Sequence, residues 1–268
     1  EKKLLKIRKK RNKPFFDDKS QTDLNAFWIY VNLYSSTILN DKILFEKSIK
    51  NFENFNKIYE NKLFHCYNDN KQIDVFLEDY VYFSLLLISN YEFTKNQSSL
   101  EKCIKLMDEA WYNFFNSNEA ILQKNKIRSN DLFVEPIDIN DNNIPNGNSV
   151  YLLISNKLNN IFPENKWKER IKILSKSFHS HINSNFSQMF SYIKILDICE
   201  DNITLTINSK NHGLIEKIIK QTVKKFMDKA TIIYKEDNTE DYFIICKKQT
   251  CSPKLKNLEE VENYYKNL

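Results

Sequence analysis

Apolar side chains at three- and four-residue spacing run through residues 1–200 and constrain the fold more than any other feature of this chain. This spacing is typical of amphipathic α-helices. It predicts three successive helical hairpins, over residues 22–59, 75–116 and 147–182, with short turns within hairpins and longer polar loops between them. This alternation predicts a mainly α chain containing part of an (α/α) toroid, although an α-solenoid or an irregular bundle has the same pattern.

The first helix of the first hairpin illustrates the expected packing. Its periodic stripe, which we expect to face the core, consists of Leu24, Phe27, Trp28, Val31, Ser35 and Ile38. Its partner helix begins near Lys42 after a short turn. Each of the three hairpins is expected to bury one such stripe, with the inner helices parallel to one another.

The periodicity changes after Asp197 from helical spacing to alternation, which is typical of strands. The expected elements are strands at 203–207, 230–234 and 242–246, a helix at 214–227 and a closing helix at 258–265. Such a β-α-β unit with one more strand is a small α/β appendage. The chain is therefore divided into a helical region, residues 1–200, and an α/β region, residues 201–268.

Composition excludes several classes of protein. The 41% of hydrophobic residues can form a core, and no apolar run is long enough to span a membrane. With only Gly147 and Gly213, the chain contains no glycine-rich phosphate loop and no dinucleotide fingerprint. The formal net charge is +5, but lysines alternate with acids and only four residues are arginine, so no nucleic-acid partner is expected.

Cysteine usage bears on the compartment. Five cysteines, an odd number, lie mostly in apolar helical settings. This favours a reducing compartment, and we expect a cytoplasmic protein. Cys246 and Cys251 have no second pair and no nearby histidine that would complete a zinc ribbon. They are either buried structural thiols, which we favour, or a redox pair.

Four segments, in order, resemble one family. They are DDKSQTDLN at 17–25, FLEDY at 76–80, DLFVEPIDINDNNIPNGNS at 131–149 and FIICKKQTCSP at 243–253. Together they are similar to motifs of the spermatogenesis-associated protein 20-like (YyaL-like) family of thioredoxin-domain-containing proteins. The sequence departs from the family pattern at Leu24, where the family has Trp, and at Glu135, where it has Arg.

The resemblance implies an architecture. Members of that family have an N-terminal thioredoxin-like domain followed by a six-hairpin (α/α) toroid, related in fold to glycosidases and N-acylglucosamine 2-epimerases. The chain begins without Met, and its first residues read as the end of a helix closed by Pro14. We therefore expect a C-terminal portion, whose own thioredoxin-like domain would be its partner. We also expect an exposed apolar flank where earlier hairpins would dock.

The loop before the third hairpin is the first candidate site. It contains Asp138, Asp141, Asn148 and Ser149, and it leads into a helix that either Asn146 or Asn148 could cap. These groups could bind the hydroxyls of a sugar-like molecule. The alternative is that they only build a rigid turn and a helix cap.

The start of the second hairpin is the other candidate site. Glu78 and Asp79 are adjacent on a helix, so only one of them can face a central cavity, where it could form an acid–base pair with Asp138 or Asp141. First-turn acids also stabilise a helix without any catalytic role. Tyr80 follows them and is included as a substrate-binding candidate.

The residues before the first hairpin are further substrate-binding candidates. They are Asp17, Asp18, Lys19 and Asn25, and the alternative is a capping cluster around Thr22 or Asp23. The histidines are few and scattered. No metal site and no cofactor are expected.

Two functions remain open at this level. One is acid–base chemistry on a sugar-like small molecule, led by Glu78 or Asp79 with Asp138 or Asp141. The other is a non-catalytic scaffold for the thioredoxin-like domain. An enzyme requires the acidic segments to face one cavity, whereas a scaffold allows them to be dispersed as helix caps.

Overall fold

The computed structural model describes residues 2–13, 19–60, 62–67, 74–126, 138–237, 240–248 and 250–268, which are mainly helical with a small sheet region. The helices are α1 (Lys2–Arg8), α2 (Thr22–Leu39), α3 (Lys42–Ile58), α4 (Leu77–Thr94), α5 (Gln97–Phe114), α6 (Gly147–Ile161), α7 (Asn165–Asn185), α8 (Phe190–Glu200), α9 (His212–Phe226) and α10 (Leu258–Lys266). The strands are β1 (Ser20–Gln21), β2 (Cys66–Tyr67), β3 (Phe115–Asn116), β4 (Ile121–Leu122), β5 (Ile203–Asn208), β6 (Ala230–Tyr234), β7 (Tyr242–Lys247) and β8 (Thr250–Cys251). Among the described helices, none combines the length and the apolar composition that a membrane span needs.

The three predicted hairpins are confirmed as α2–α3, α4–α5 and α6–α7, each packed as a pair. Polar residues set where their helices begin. The side chain of Asp41 accepts the N–H of Leu44 at the start of α3, and Asn96 accepts that of Ser99 at the start of α5. Asn40 ends α2 in the left-handed conformation, with φ of 61°, which asparagine adopts readily.

Helices α2, α4 and α6 form an inner layer, with α4 in the middle, and α3, α5 and α7 pack outside them. Every residue of α4 from Asp79 to Glu92 is buried. A helix that is apolar on all sides is buried on all sides. The apolar composition of α4 therefore explains why other elements cover it on all sides.

The expectation about the buried face of α2 was wrong. Leu24, Trp28 and Val31, which we expected in the core, are 45%, 55% and 42% exposed. The buried face contains instead Ala26, Ile29, Tyr30, Leu33 and Tyr34. Both sides of α2 are apolar, so periodicity alone could not decide which of them packs on α4. The outward side of α2 therefore exposes an apolar stripe.

The C-terminal region has the predicted strands and helices. Its sheet has the order β6-β5-β7-β8, with β5 parallel to β6 through α9 and antiparallel to β7. Helix α8, which we did not predict as a separate element, packs on α6, while α9 packs on α2. The inner layer is therefore covered on its second side by α8, α9 and β6.

A buried ion pair joins this region to the inner layer. The Lys157 ammonium of α6 donates to both carboxylate oxygens of Glu92 on α4, at 2.8 and 3.0 Å, and to the Ala230 carbonyl at 2.6 Å. Glu92 also accepts the N–H of Ile232 at 3.2 Å. The side chains of the ion pair are 1% and 2% exposed, so the pair lies in the core.

Candidate functional site

The first turns of α2, α4 and α6 lie together, and we call this region, with residues 62–67 and 138–146, the N-terminal pole. Carboxylate oxygens of Asp23 on α2 and Asp79 on α4 belong to a group of atoms all within 4.8 Å of one another. A Cβ at Gly147, the first residue of α6, would lie 3.2 Å from Oε1 of Glu78. Glycine therefore allows α6 to approach α4 closely, and the three inner helices begin on one side of the molecule.

Glu78 has an unusual environment in this pole. Its Oε2 is buried and has no hydrogen-bond partner among the described residues. Burial, together with the nearby charge of Asp138, raises the pKa of Glu78 to about 7, against the lowering effects of its own N–H and of Lys124. A carboxyl with this pKa exists in both protonation states near neutral pH.

Asp79 has a different role from its neighbour. Its Oδ2 accepts the N–H of Phe76 at 2.8 Å, which caps α4. Its two oxygens lie 3.0 and 3.1 Å from Nδ1 of His65, and its side chain is fully buried. The hydrogen bond that His65 donates to Asp79 raises the pKa of His65. Asp79 is therefore held by two partners.

Asp141 and Asn148 hold the loop in place. The Asp141 carboxylate accepts the N–H of Asn146 at 2.8 Å, the N–H of Ser191 at 2.7 Å and the Ser191 hydroxyl, which ties the loop to α8. Asn148 accepts the N–H of Leu122 and donates to its carbonyl, both at 2.8 Å. Asn146, one of the two predicted caps of α6, accepts the N–H of Asn148 at 2.9 Å. These side chains have structural partners.

The remaining predicted residues are spread around the pole. Asp138 is half-buried in the loop before α6, and Ser149 is fully buried in the first turn of that helix. Tyr80 points away into the packing of α4 on α5, where its ring contacts Phe114 and where it borders a cavity of about 590 Å³. Burial raises the pKa of Tyr80 to about 12.

The predicted residues before α2 contribute local contacts. Asn25 donates to the carbonyl of Gln21 at 2.6 Å and to the hydroxyl of Ser20 at 3.2 Å. Lys19 is exposed. Asp17 and Asp18 lie outside the described residues.

Cys246 and Cys251 are joined by a disulfide between β7 and β8. Cys246 is half-buried and Cys251 is exposed, so the two are not buried thiols, and a disulfide is compatible with both the structural and the redox interpretation. The pair closes a short hairpin whose turn includes Lys248 with φ of 55°. Cys66, Cys103 and Cys199 form no disulfide.

His65 and Asp23 are the functional candidates that sequence reasoning missed. We expected no metal site, yet Asp23, His65 and Asp79 place three ligand-type atoms together. His65 belongs to the segment between two hairpins, and nothing in its local sequence indicates these partners. The only signal was its position shortly before the FLEDY segment.

No protein-family model and no curated protein matches the chain, so comparison with known proteins assigns it to no family. The similarity to the spermatogenesis-associated protein 20-like family therefore stays a prediction from four short segments.

Proposed function

We propose that the N-terminal pole binds a sugar-like polar small molecule and that Glu78 performs acid–base chemistry on it, with Asp138 as the second carboxyl. The observation that supports this proposal is the buried Oε2 of Glu78, which has no partner among the described residues. A buried polar atom without a partner is costly in a folded protein unless a ligand or water satisfies it. A hydroxyl of the bound molecule would be that partner.

Only two of the four acids considered from the sequence belong to the proposed catalytic pair. Asp79 is engaged by His65 and by Phe76, and Asp141 is engaged by Ser191 and by Asn146. Glu78 and Asp138 remain, and they are close enough for the charge of Asp138 to raise the pKa of Glu78. Two carboxyls with different environments are the usual requirement for acid–base work on sugars.

We also propose that the three hairpins form part of an (α/α) toroid. Three hairpins whose inner helices lie side by side and begin at one pole support part of an (α/α) toroid. The exposed apolar side of α2 supports further hairpins beyond it. We also place the protein in the cytoplasm, since three of its five cysteines form no disulfide, although Cys246 and Cys251 form one.

A second candidate function is a scaffold for the thioredoxin-like domain. It is favoured by the structural hydrogen bonds of Asp141 and Asn148, which leave these two side chains little capacity for a substrate. In this case the pole would hold the hairpins together and perform no reaction.

Proton exchange distinguishes the two functions. The chain is incubated in D₂O with glucose, mannose, N-acetylglucosamine or N-acetylmannosamine, and proton NMR follows deuterium entering the carbon next to the anomeric centre. The same samples are tested with nitrophenyl glycosides for hydrolysis. Glu78→Gln should abolish any activity, whereas Glu53→Gln on the exposed side of α3 should leave it unchanged.

Equal activity of the wild type and Glu78→Gln would remove Glu78 from the reaction. If the wild type neither exchanges nor hydrolyses any of these probes, the scaffold becomes the better explanation.

A further inference from the structure

Three side chains from separate elements converge at one edge of the N-terminal pole. Asp23 lies in the first turn of α2, His65 precedes β2, and Asp79 lies in the first turn of α4. Each contributes one ligand-type atom, and these atoms all lie within 4.8 Å of one another. Nitrogen and carboxylate oxygen together are donors that first-row divalent cations accept.

The His65–Asp79 distances match those between neighbouring ligands of a single ion, and the Asp23 oxygen lies within 4.8 Å of both ligand atoms. In octahedral coordination with bonds of about 2.1 Å, neighbouring ligands lie about 3.0 Å apart and opposite ones about 4.2 Å. Nδ1 of His65 lies 3.0 and 3.1 Å from the oxygens of Asp79. Asp23 is half-buried, and its side chain accepts only the N–H of Leu24 among the described residues. Since its oxygen already lies within 4.8 Å of the other two ligand atoms, Asp23 needs at most a small side-chain movement to reach a shared ion.

The charge of the cluster also favours a cation. Two carboxylates face one imidazole, so the group keeps a net negative charge even when His65 is protonated. Buried carboxylates are stable when they are paired or coordinate a metal.

The ligands are fixed by the fold. The N–H of Phe76 holds Asp79, and the ring of Phe76 packs edge-on against His65, with centroids 4.7 Å apart. The N–H of Thr22 donates to the carbonyl of His65 at 2.9 Å, and Gln21 pairs with Cys66 in the β1–β2 ladder. Such supporting contacts orient metal ligands in advance and raise affinity.

We infer that Asp23, His65 and Asp79 bind one first-row divalent cation, of the Mn²⁺ or Zn²⁺ type. The ion takes the place of the proton between Nδ1 of His65 and Asp79, and water fills the positions that the three side chains leave open. The nitrogen ligand distinguishes this site from one for Mg²⁺ or Ca²⁺, which prefer oxygen alone. The inference does not depend on the proposed sugar chemistry.

The test uses the full chain treated with a chelator and then titrated with Mn²⁺, Zn²⁺ or Mg²⁺ alone. Calorimetry measures affinity and stoichiometry, and Co²⁺ absorption reports on nitrogen coordination. We expect one equivalent of Mn²⁺ or Zn²⁺ to bind and to raise the melting temperature. Asp23→Asn should weaken binding by at least about tenfold, because even supporting residues of metal sites contribute that much.

Asp41→Asn is the control, since Asp41 is an acid at the start of another helix, α3, and lies outside the cluster, and asparagine caps helices equally well. His65→Gln is the second variant and should also lose the nitrogen-dependent part of the Co²⁺ spectrum. Circular dichroism checks that each variant is folded. Asp23→Asn keeps the test decisive if His65→Gln does not fold.

The inference is overturned if Mn²⁺ and Zn²⁺ bind with less than one equivalent at millimolar concentration. It is equally overturned if Asp23→Asn binds like Asp41→Asn, or if Mg²⁺ binds as tightly as Mn²⁺ and independently of His65. A failure here leaves the role of Glu78 intact, because the sugar experiments use a different variant and no added metal.

Discussion

Glu78 and Asp79 are neighbours in the chain, yet their carboxylates have opposite surroundings. Asp79 is held by His65 and by the N–H of Phe76, whereas Oε2 of Glu78 has no partner among the described residues. Sequence alone indicates two acids at a helix start. Which carboxylate has hydrogen-bond partners and which has none depends on whether a group from another segment reaches it.

The raised pKa of Glu78 predicts a pH-dependent stability. The folded-state pKa of Glu78 is raised from 4.5 to about 7. The free energy of unfolding is therefore highest below pH 4.5, where this carboxyl is protonated in both states, and it falls as pH rises from 4.5 through 7. Glu78→Gln removes the charge and should therefore stabilise the chain by about 1–3 kcal/mol at pH 8 but little at pH 5. Urea unfolding at both pH values measures this.

Glu53→Gln, on the exposed surface of α3, serves as the control and should show no such difference. A gain for Glu78→Gln that is the same at both pH values would contradict the prediction.

The two acids of the loop before α6 should respond differently to the same change. Asp141→Asn replaces one of the oxygens that accept from Asn146 and Ser191 and should cost about 1–3 kcal/mol. Asp138→Asn should be neutral within about 0.5 kcal/mol or slightly stabilising, because it relieves repulsion with Glu78. Urea unfolding at neutral pH compares them, and a larger loss for Asp138→Asn would reverse the assignment.

At the scale of helices, composition carries more information than a single periodic stripe. Helix α4 contains no basic residue, and every residue from Asp79 to Glu92 is buried. Helix α2 has the same character, with Asp23 as its one charged residue, yet its outward side is exposed. The outer helices α3 and α5 alternate lysine with acid and need only one buried face. Helix α2 therefore has the composition of an inner helix with one open side.

The exposed apolar side of α2 predicts a surface that promotes self-association and binds hydrophobic dyes. Trp28 is 55% exposed on the apolar stripe, so Trp28→Gln should change stability by less than about 0.5 kcal/mol while reducing self-association and binding of a hydrophobic dye. Sedimentation and dye fluorescence measure both effects. Tyr112→Gln is the control, since Tyr112 is 78% exposed on the outer helix α5. Equal effects of the two changes would rule out a special role for the stripe.

At the scale of the whole molecule, the buried pair of Glu92 and Lys157 connects two regions that the sequence presents as separate. Its atoms join α4 and α6 to Ala230 and Ile232 of β6. Burying two charges is favourable only when their geometry and hydrogen bonds are satisfied, as they are here. The pair therefore determines where the sheet docks on the inner helices.

Removing one partner of this pair should be costly. Lys157→Met leaves Glu92 buried without its counter-charge and should cost about 3–5 kcal/mol, whereas Lys157→Met combined with Glu92→Leu should recover much of that loss. Denaturant unfolding measures the free energies, and faster hydrogen exchange at the Ile232 amide should accompany the single change. Lys105→Met, in an exposed pair with Glu109, is the control. A single-variant cost as small as that of the control would contradict the prediction.

The hairpin helices and the strands and helices after Asp197 could be derived from the sequence, whereas α8, the short strands β1–β4 and the partners of each element could not. Helical spacing, caps such as Asn146 and the change to alternation after Asp197 are local signals, and the three hairpins and the β-α-β unit follow from them. Contacts across the fold carry no local signal. The meeting of Asp23, His65 and Asp79, the hydrogen bonds from Ser191 to Asp141 and the open side of α2 depend on how distant segments pack. Secondary structure responds to neighbours in sequence, while a site is made by neighbours in space.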